Sequence, residues 1–81
     1  MVKDLILNNL HWVIEPEARE FEALVKIRYN MQAVRANVKI ENEFVNISFL
    51  DEVSGLTPGQ ACVIYDKNNG ALLGGAFIYK S

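Results

Sequence analysis

Residues 56–79 read LTPGQACVIYDKNNGALLGGAFIY, and their apolar runs and turns decide the class of fold. The runs at 61–65 and 71–79 are apolar at almost every position, which is typical of strands covered on both faces. A polar segment between them ends in Asn69-Gly70, a pair well suited to a positive-φ hairpin turn. The stretch therefore predicts two neighbouring antiparallel strands.

Four residues of this stretch are predicted to shape the backbone. Pro58 followed by Gly59 suits the second and third positions of a type II turn, where φ is first negative and then positive. Gly74 and Gly75 lie within a strand, where glycine weakens the sheet unless it marks a bend, a bulge or a close approach of two backbones. Such positions are frequent at barrel corners.

The rest of the chain alternates apolar and polar residues with period two, which indicates half-buried strands. Including the closing stretch, six strands are predicted, at residues 4–13, 19–30, 34–41, 44–50, 61–65 and 71–79. Six short strands without a helical period indicate an antiparallel barrel or sandwich. The mid-strand glycines favour an all-β fold with a small six-stranded antiparallel β-barrel, formed as a single domain over residues 1–81.

Composition limits the classes of protein. With 81 residues, 51% of them hydrophobic, the chain fits one small domain with a modest core. Cys62 is the single cysteine, so no intrachain disulfide forms, and a reducing compartment is compatible with the sequence. No apolar run approaches the roughly 18–20 residues that span a bilayer, and no signal peptide is evident. The expected location is the cytoplasm.

The chain holds few residues suited to catalysis. His11 is the single histidine, no spacing resembles a zinc site, and no glycine-rich phosphate loop is present. Cys62 lies in an apolar strand and is predicted to be a buried small hydrophobe. His11 beside Trp12 forms half of a base-stacking surface or, more often for such pairs, caps a barrel end or packs between domains. We expect no catalytic residue, metal or cofactor in this domain.

Charge is unevenly distributed along the chain. Residues 23–40 contain four basic and no acidic residues, whereas the remainder contains four basic and ten acidic ones, for a net charge of −2. The four basic residues, here called the basic stripe, are Lys26, Arg28, Arg35 and Lys39.

A hairpin that pairs Tyr29 with Val34 would place Arg28 opposite Arg35 on the outer surface. Like charges directly opposite each other destabilise a sheet. The arrangement indicates either guanidinium groups that point into water or a surface that binds phosphates. No aromatic residue lies between the basic residues on that face, so base stacking is not expected there.

Four motifs resemble, in order and spacing, the last domain of the bacterial tRNA-specific 2-thiouridylases. They cover nearly the whole chain and are Leu10-His11-Trp12-Val13, Val25-Lys26-Ile27-Arg28-Tyr29, Thr57-Pro58-Gly59-Gln60 and Leu73-Gly74-Gly75. The resemblance implies a six-stranded barrel, similar to the barrel at the end of aminomethyltransferases. It also implies an excised domain rather than a free-standing protein.

The same resemblance implies a role without catalysis. Enzymes of that family activate the wobble uridine of certain tRNAs with ATP and deliver sulfur through cysteine persulfides, in domains with no counterpart here. The chain is thus expected to be an accessory tRNA-binding domain, with tRNA and the catalytic and central domains as partners, and sulfur-relay proteins only through the parent enzyme. The alternative is a docking barrel without RNA contact. A small-ligand barrel is disfavoured, since six strands enclose too little space.

Three residues of this chain match the basic strand of that family. Lys26, Arg28 and Tyr29 match it and are implied to contact the tRNA backbone. Asn30 and Met31 depart from the family pattern. Arg35 and Lys39 are added to the predicted tRNA-binding set on their charge alone, and Cys62 matches neither of the family's working cysteines.

Overall fold

The computed structural model describes residues 2–27, 32–53 and 58–80, and these form a closed antiparallel β-barrel. Its strands are β1 (Val2–Asn8), β2 (His11–Trp12), β3 (Glu20–Lys26), β4 (Val34–Glu41), β5 (Phe44–Val53), β6 (Ala61–Tyr65) and β7 (Leu72–Lys80). Their order around the barrel is β1-β5-β4-β3-β6-β7, and pairing of β1 with β7 closes the ring. The predicted all-β fold and the choice of a barrel over a sandwich are confirmed.

The first predicted strand, residues 4–13, is divided into β1 and β2. Both pair with β7, and β6 already occupies the other edge of β7, so β2 continues along the edge that β1 uses. Between them Asn9 has a φ of 54°, a conformation that asparagine tolerates better than most residues. The barrel thus has six walls, one of which is broken at Asn9.

Alternate positions of the six long strands point inward and form one core. The period-two pattern predicted this correctly for β4 and β5, whose inward residues are buried, apart from Val34 and Ile40 of β4, which are half-buried. The buried apolar side chains are Leu5, Leu7, Ala23, Val25, Ile27, Ala36, Val38, Val45, Ile47, Phe49, Cys62, Ile64 and Ile78. Removal of this apolar surface from water is the main force that stabilises the barrel.

The apolar pattern predicted that β6 and β7 are covered on both faces. On β6 the outward Val63 and Tyr65 are half-buried, whereas for the outer face of β7 the prediction is wrong within the described residues. Cys62, Ile64 and Ile78 face the core, but Phe77 and Tyr79 on the outer side of β7 are 67% and 56% exposed. The described residues form a single layer around the core, and none of their elements packs over the outside of β7. An apolar outer face allows another element to pack over a strand, but it does not show that this chain contains such an element.

The predicted register of the hairpin between β3 and β4 is also wrong. Val34 pairs with Val25 instead of Tyr29, and Arg35 therefore pairs with Leu24 instead of Arg28. The shift is four residues, an even number, so every side chain keeps its predicted face. Alternation specifies which face a residue occupies, but any even shift satisfies it equally well.

Two turns border β6. Gly59 has a φ of 93°, and its N–H donates to the carbonyl of Ile78 at 3.0 Å, which holds the Pro58-Gly59 turn against β7. On the other side, residues 66–70 form a longer loop in which Gly70 has a positive φ, 73°, and Asn69 does not. The Asp66 carboxylate accepts the N–H groups of Asn68 and Asn69, and these hydrogen bonds lower its pKa.

Gly74 lies where β2 approaches β7 so closely that a side chain would not fit. It pairs with Trp12, and a Cβ at this position would lie 2.6 Å from the carbonyl oxygen of His11 and 2.7 Å from Cδ2 of Leu10. A backbone atom cannot move aside as a flexible side chain can. The seating of β2 against β7 therefore requires glycine here.

We predict that Gly74→Ala destabilises the barrel by about 1–3 kcal/mol, since the added methyl group overlaps the backbone of β2. The measurement is urea denaturation followed by tryptophan fluorescence. The control is Gly70→Asn, where open space surrounds the Cβ and asparagine accepts a positive φ, so the loss should stay below about 1 kcal/mol. Equal stability of Gly74→Ala and the parent chain would contradict the packing described for β2.

Candidate nucleic-acid interface

The described members of the basic stripe do not form a compact patch. Lys26 ends β3, whereas Lys39 pairs with Glu20 at the start of that strand. Six residues of strand separate the two positions, about 20 Å at roughly 3.4 Å per residue. This exceeds the distance of about 8–10 Å over which exposed charges interact at physiological salt. Arg28 and Tyr29 lie outside the described residues.

Arg35 is held by a carboxylate. Its Nη2 lies 2.6 Å from Oε1 of Glu22, and the same oxygen is 3.1 Å from Nζ of Lys67 on the loop between β6 and β7. The hydrogen bonds donated by Arg35 and then by Lys67 lower the pKa of Glu22, and donating its bond to Glu22 raises the pKa of Arg35. Nothing in the local sequence around Glu22 predicts that Lys67, 45 residues further along the chain, lies beside it.

The start of β3 adds further negative charge near the basic residues. Glu20 pairs directly with Lys39, and its Oε2 accepts a hydrogen bond from Nδ2 of Asn37 at 2.7 Å. The outer surface of the first half of β3 and its partner β4 is therefore of mixed charge. A surface that attracts phosphates must be sought at the other end of β3.

That other end carries Lys26, next to strands that lack carboxylates in the part of the chain that the structure describes. Lys26 pairs with Val63 on β6 and forms no ion pair within the described part of the chain. The neighbouring strands β6, β7 and β2 contain no acidic residue. Although the chain as a whole is acidic, this part of its surface is compatible with an anion.

His11 and Trp12 point to opposite sides of the sheet. Trp12 turns inward, packs on the core and meets the ring of Phe21 with centroids 6.3 Å apart. His11 is exposed on the outer side, opposite Gly75. The two rings therefore do not form one stacking surface, and Trp12 covers the core near the end of the barrel.

The cleft at that end has a volume of about 590 Å³ and is bordered by Trp12. Among its lining residues Glu15, Glu17 and Glu43 outnumber Arg19, so its charge is unfavourable for a polyanion. Across the described residues no group of histidine, cysteine and acidic side chains is arranged to hold a metal ion. The same residues include no helix with the length and apolar character to cross a membrane.

Comparison with known proteins connects this barrel to RNA-modifying enzymes. A model of the aminomethyltransferase β-barrel domain family matches residues 2–78. The chain is 40% identical over 76 residues to the tRNA-specific 2-thiouridylase MnmA of Yersinia enterocolitica and 35% identical over 74 residues to that of Sulfurimonas denitrificans. Each alignment covers 91% of this chain and 20% of the relative, so the chain spans about one fifth of these relatives.

The single cysteine has the environment of a core residue. Cys62 is fully buried between Ala61 and Val63, and burial raises the pKa of its thiol to about 12. The thiolate is the nucleophilic form, so the folded barrel offers no reactive sulfur at neutral pH.

We predict that iodoacetamide leaves Cys62 unmodified in the folded chain at pH 8 and alkylates it in concentrated urea, as measured by intact mass. In the unfolded chain the thiol ionises near pH 8.5–9, whereas the folded thiol keeps its proton to about pH 12. The stability conferred by this group is therefore complete below pH 8 and is lost as the pH rises from 9 towards 12. Rapid alkylation of the folded chain would contradict this assignment, and Cys62→Ala is the unlabelled control.

Proposed function

The chain belongs to the aminomethyltransferase β-barrel domain family and is homologous to the C-terminal barrel of tRNA-specific 2-thiouridylases, and from this premise we propose that it is an accessory tRNA-binding domain. In this proposal it holds tRNA through backbone contacts. The parent enzyme makes 2-thiouridine at the wobble position by ATP-dependent sulfur transfer in parts outside these 81 residues.

One observation carries the proposal. Lys26 lies at the end of β3 without an ion-pair partner in the described regions, beside β6, which like β7 and β2 beyond it lacks acidic residues. A cation in such a place attracts phosphate without having to leave a carboxylate first. Arg28 and Tyr29 are proposed to extend this contact, whereas Arg35 and Lys39 contribute less because Glu22 and Glu20 lie beside them.

A docking barrel without RNA contact is the second candidate function. Its support is the set of apolar side chains on the outer surface, with Phe77 67%, Val13 58% and Tyr79 56% exposed. Such residues are suited to the surface of a neighbouring domain of a parent enzyme. On this alternative, substitutions of basic residues would leave RNA binding unchanged, because the isolated chain would not bind RNA.

We predict that Lys26→Ala weakens tRNA binding and lowers the salt dependence of binding by about one counterion, because one phosphate contact is removed. The measurement is fluorescence anisotropy with labelled tRNA over a series of salt concentrations. Lys39→Ala removes the same charge from the mixed-charge end of β3 and β4 and should have a smaller effect. Salt-insensitive binding, or equal affinity of Lys26→Ala and the parent chain, would contradict the proposal.

We also predict that Glu22→Gln strengthens tRNA binding several-fold at low salt, since it releases Arg35 and Lys67 from their shared carboxylate. The matched control is Glu43→Gln, which removes one negative charge from the cleft at the barrel end. Both variants are measured by the same anisotropy titration with labelled tRNA. If they bind tRNA equally well, the change in net charge alone explains the stronger binding, and Arg35 and Lys67 do not reach the RNA.

A further inference from the structure

Phe77 is the most exposed of the large hydrophobic side chains described. It stands on the outer side of β7 with 67% of its surface accessible, and it pairs across the strands with Ala61, a small residue. The described aromatic contacts are between Trp12 and Phe21 and between Phe44 and Tyr79, so Phe77 has no aromatic partner among them. Its ring is therefore available to a ligand with a flat apolar surface.

Gly75 leaves a recess beside this ring. It is paired with Val63 on one side and with His11 on the other, and directly paired residues share a face of the sheet. A Cβ at Gly75 would lie 3.2 Å from the carbonyl oxygen of Cys62 and 3.9 Å from Cγ2 of Val63, and the pairing with Val63 places it on the outer face. Neighbouring strands are about 4.8 Å apart, so Val63 and His11 stand roughly 10 Å apart with only backbone between them.

The residues around the recess provide three different kinds of contact. Phe77 stands on the same strand and face as Gly75, about 7 Å along β7, and contributes an exposed aromatic ring. His11 is exposed and carries ring nitrogens able to donate or accept a hydrogen bond. Lys26 lies beyond Val63 on the same rung, about 10 Å from Gly75, and carries an ammonium group.

We propose that this surface, the Phe77 platform (His11, Lys26, Val63, Gly75 and Phe77), binds one unpaired nucleotide of an RNA. The base stacks on Phe77 over the backbone at Gly75, the His11 ring lies at the base edge, and Lys26 receives the phosphate. Sheet surfaces that bind single-stranded RNA combine exposed aromatic rings with nearby cations in this way. The inference rests on the proposed function for its ligand and adds a base contact to the backbone contacts proposed there.

The electrostatics of the platform favour RNA over a protein partner. Lys26 lies at its edge and His11 is exposed, and the strands β2, β6 and β7 contain no acidic residue. The exposed ring of Phe77 stands beside the bare backbone of Gly75. Docking of an apolar protein surface would use the apolar side chains of this region but would not require Lys26. This arrangement could not be predicted from the sequence, because Phe77 is about fifty residues from Lys26. Only the pairing of β3 with β6 and of β6 with β7 brings the two residues onto one surface.

The test is titration of the 81-residue chain with a short unstructured RNA that carries 2-aminopurine, read by anisotropy and by quenching of the base. Phe77→Ala should weaken binding by about five- to tenfold and abolish the quenching, with the salt dependence unchanged. Phe77→Tyr should restore both. An abasic ribose-phosphate strand of the same length should bind the parent chain as weakly as the full RNA binds Phe77→Ala. Leu50→Ala, which truncates an exposed apolar residue on β5, is the matched control and should change nothing.

Each other outcome overturns the platform in a recognisable way. If Phe77→Ala retains full affinity and quenching while binding stays salt-sensitive, the base contact is wrong and the proposed tRNA-binding function stands. If Phe77→Ala weakens the abasic strand as much as the full RNA, the ring does not act by stacking. If the parent chain shows no salt-sensitive RNA binding, both proposals fail and a docking role for the apolar surface remains.

Discussion

The close approach of two backbones at Gly74 is the constraint on which the packing of β2 against β7 depends. Because no Cβ is present there, β2 lies directly on β7, and the N–H groups of Val13 and Ile14 both reach the carbonyl of Leu73, at 2.7 and 3.2 Å. That contact fixes Trp12 over the core beside Phe21 and leaves His11 outside. The same strand path, before its break at Asn9, closes the ring between β5 and β7.

Sequence alone predicted the faces of the barrel better than its pairings. Ala36 and Val38, or Val45 and Ile47, alternate with polar neighbours, and half-burial follows directly from that pattern. The register between β3 and β4 could not be predicted in the same way, because an even shift preserves the pattern. The carboxylate of Glu22 meets a lysine 45 residues away, and no local signal in the chain specifies such a contact. The sequence therefore overstates how strongly the basic stripe would attract phosphates, because it does not show the carboxylates beside Arg35 and Lys39. It also does not show that Phe77 lies near Lys26.

The distribution of charge resolves the apparent conflict between an acidic chain and a nucleic-acid ligand. Carboxylates of β3 lie at its start, where they face Arg35, Lys39 and the loop lysine, Lys67. Lys26 occupies the other end of the strand, beside neighbours without charge. Since exposed charges are screened beyond about 10 Å, the potential near Lys26 depends on its own surroundings and not on the total. Net charge is a poor guide to partners for a domain of this size.

Closure of the ring also limits the ways in which this domain can hold another molecule. Each of the six long strands, in its described part, is hydrogen-bonded to a neighbour on both edges over most of its length. These strands therefore present few unpaired N–H and C=O groups. Recognition by addition of a strand, which many β domains use for peptides, is therefore not open to these walls. Contacts must be made by outward side chains, and those positions can change without disturbing the core. The barrel is a scaffold whose surface is free to diversify in evolution while its interior stays constant.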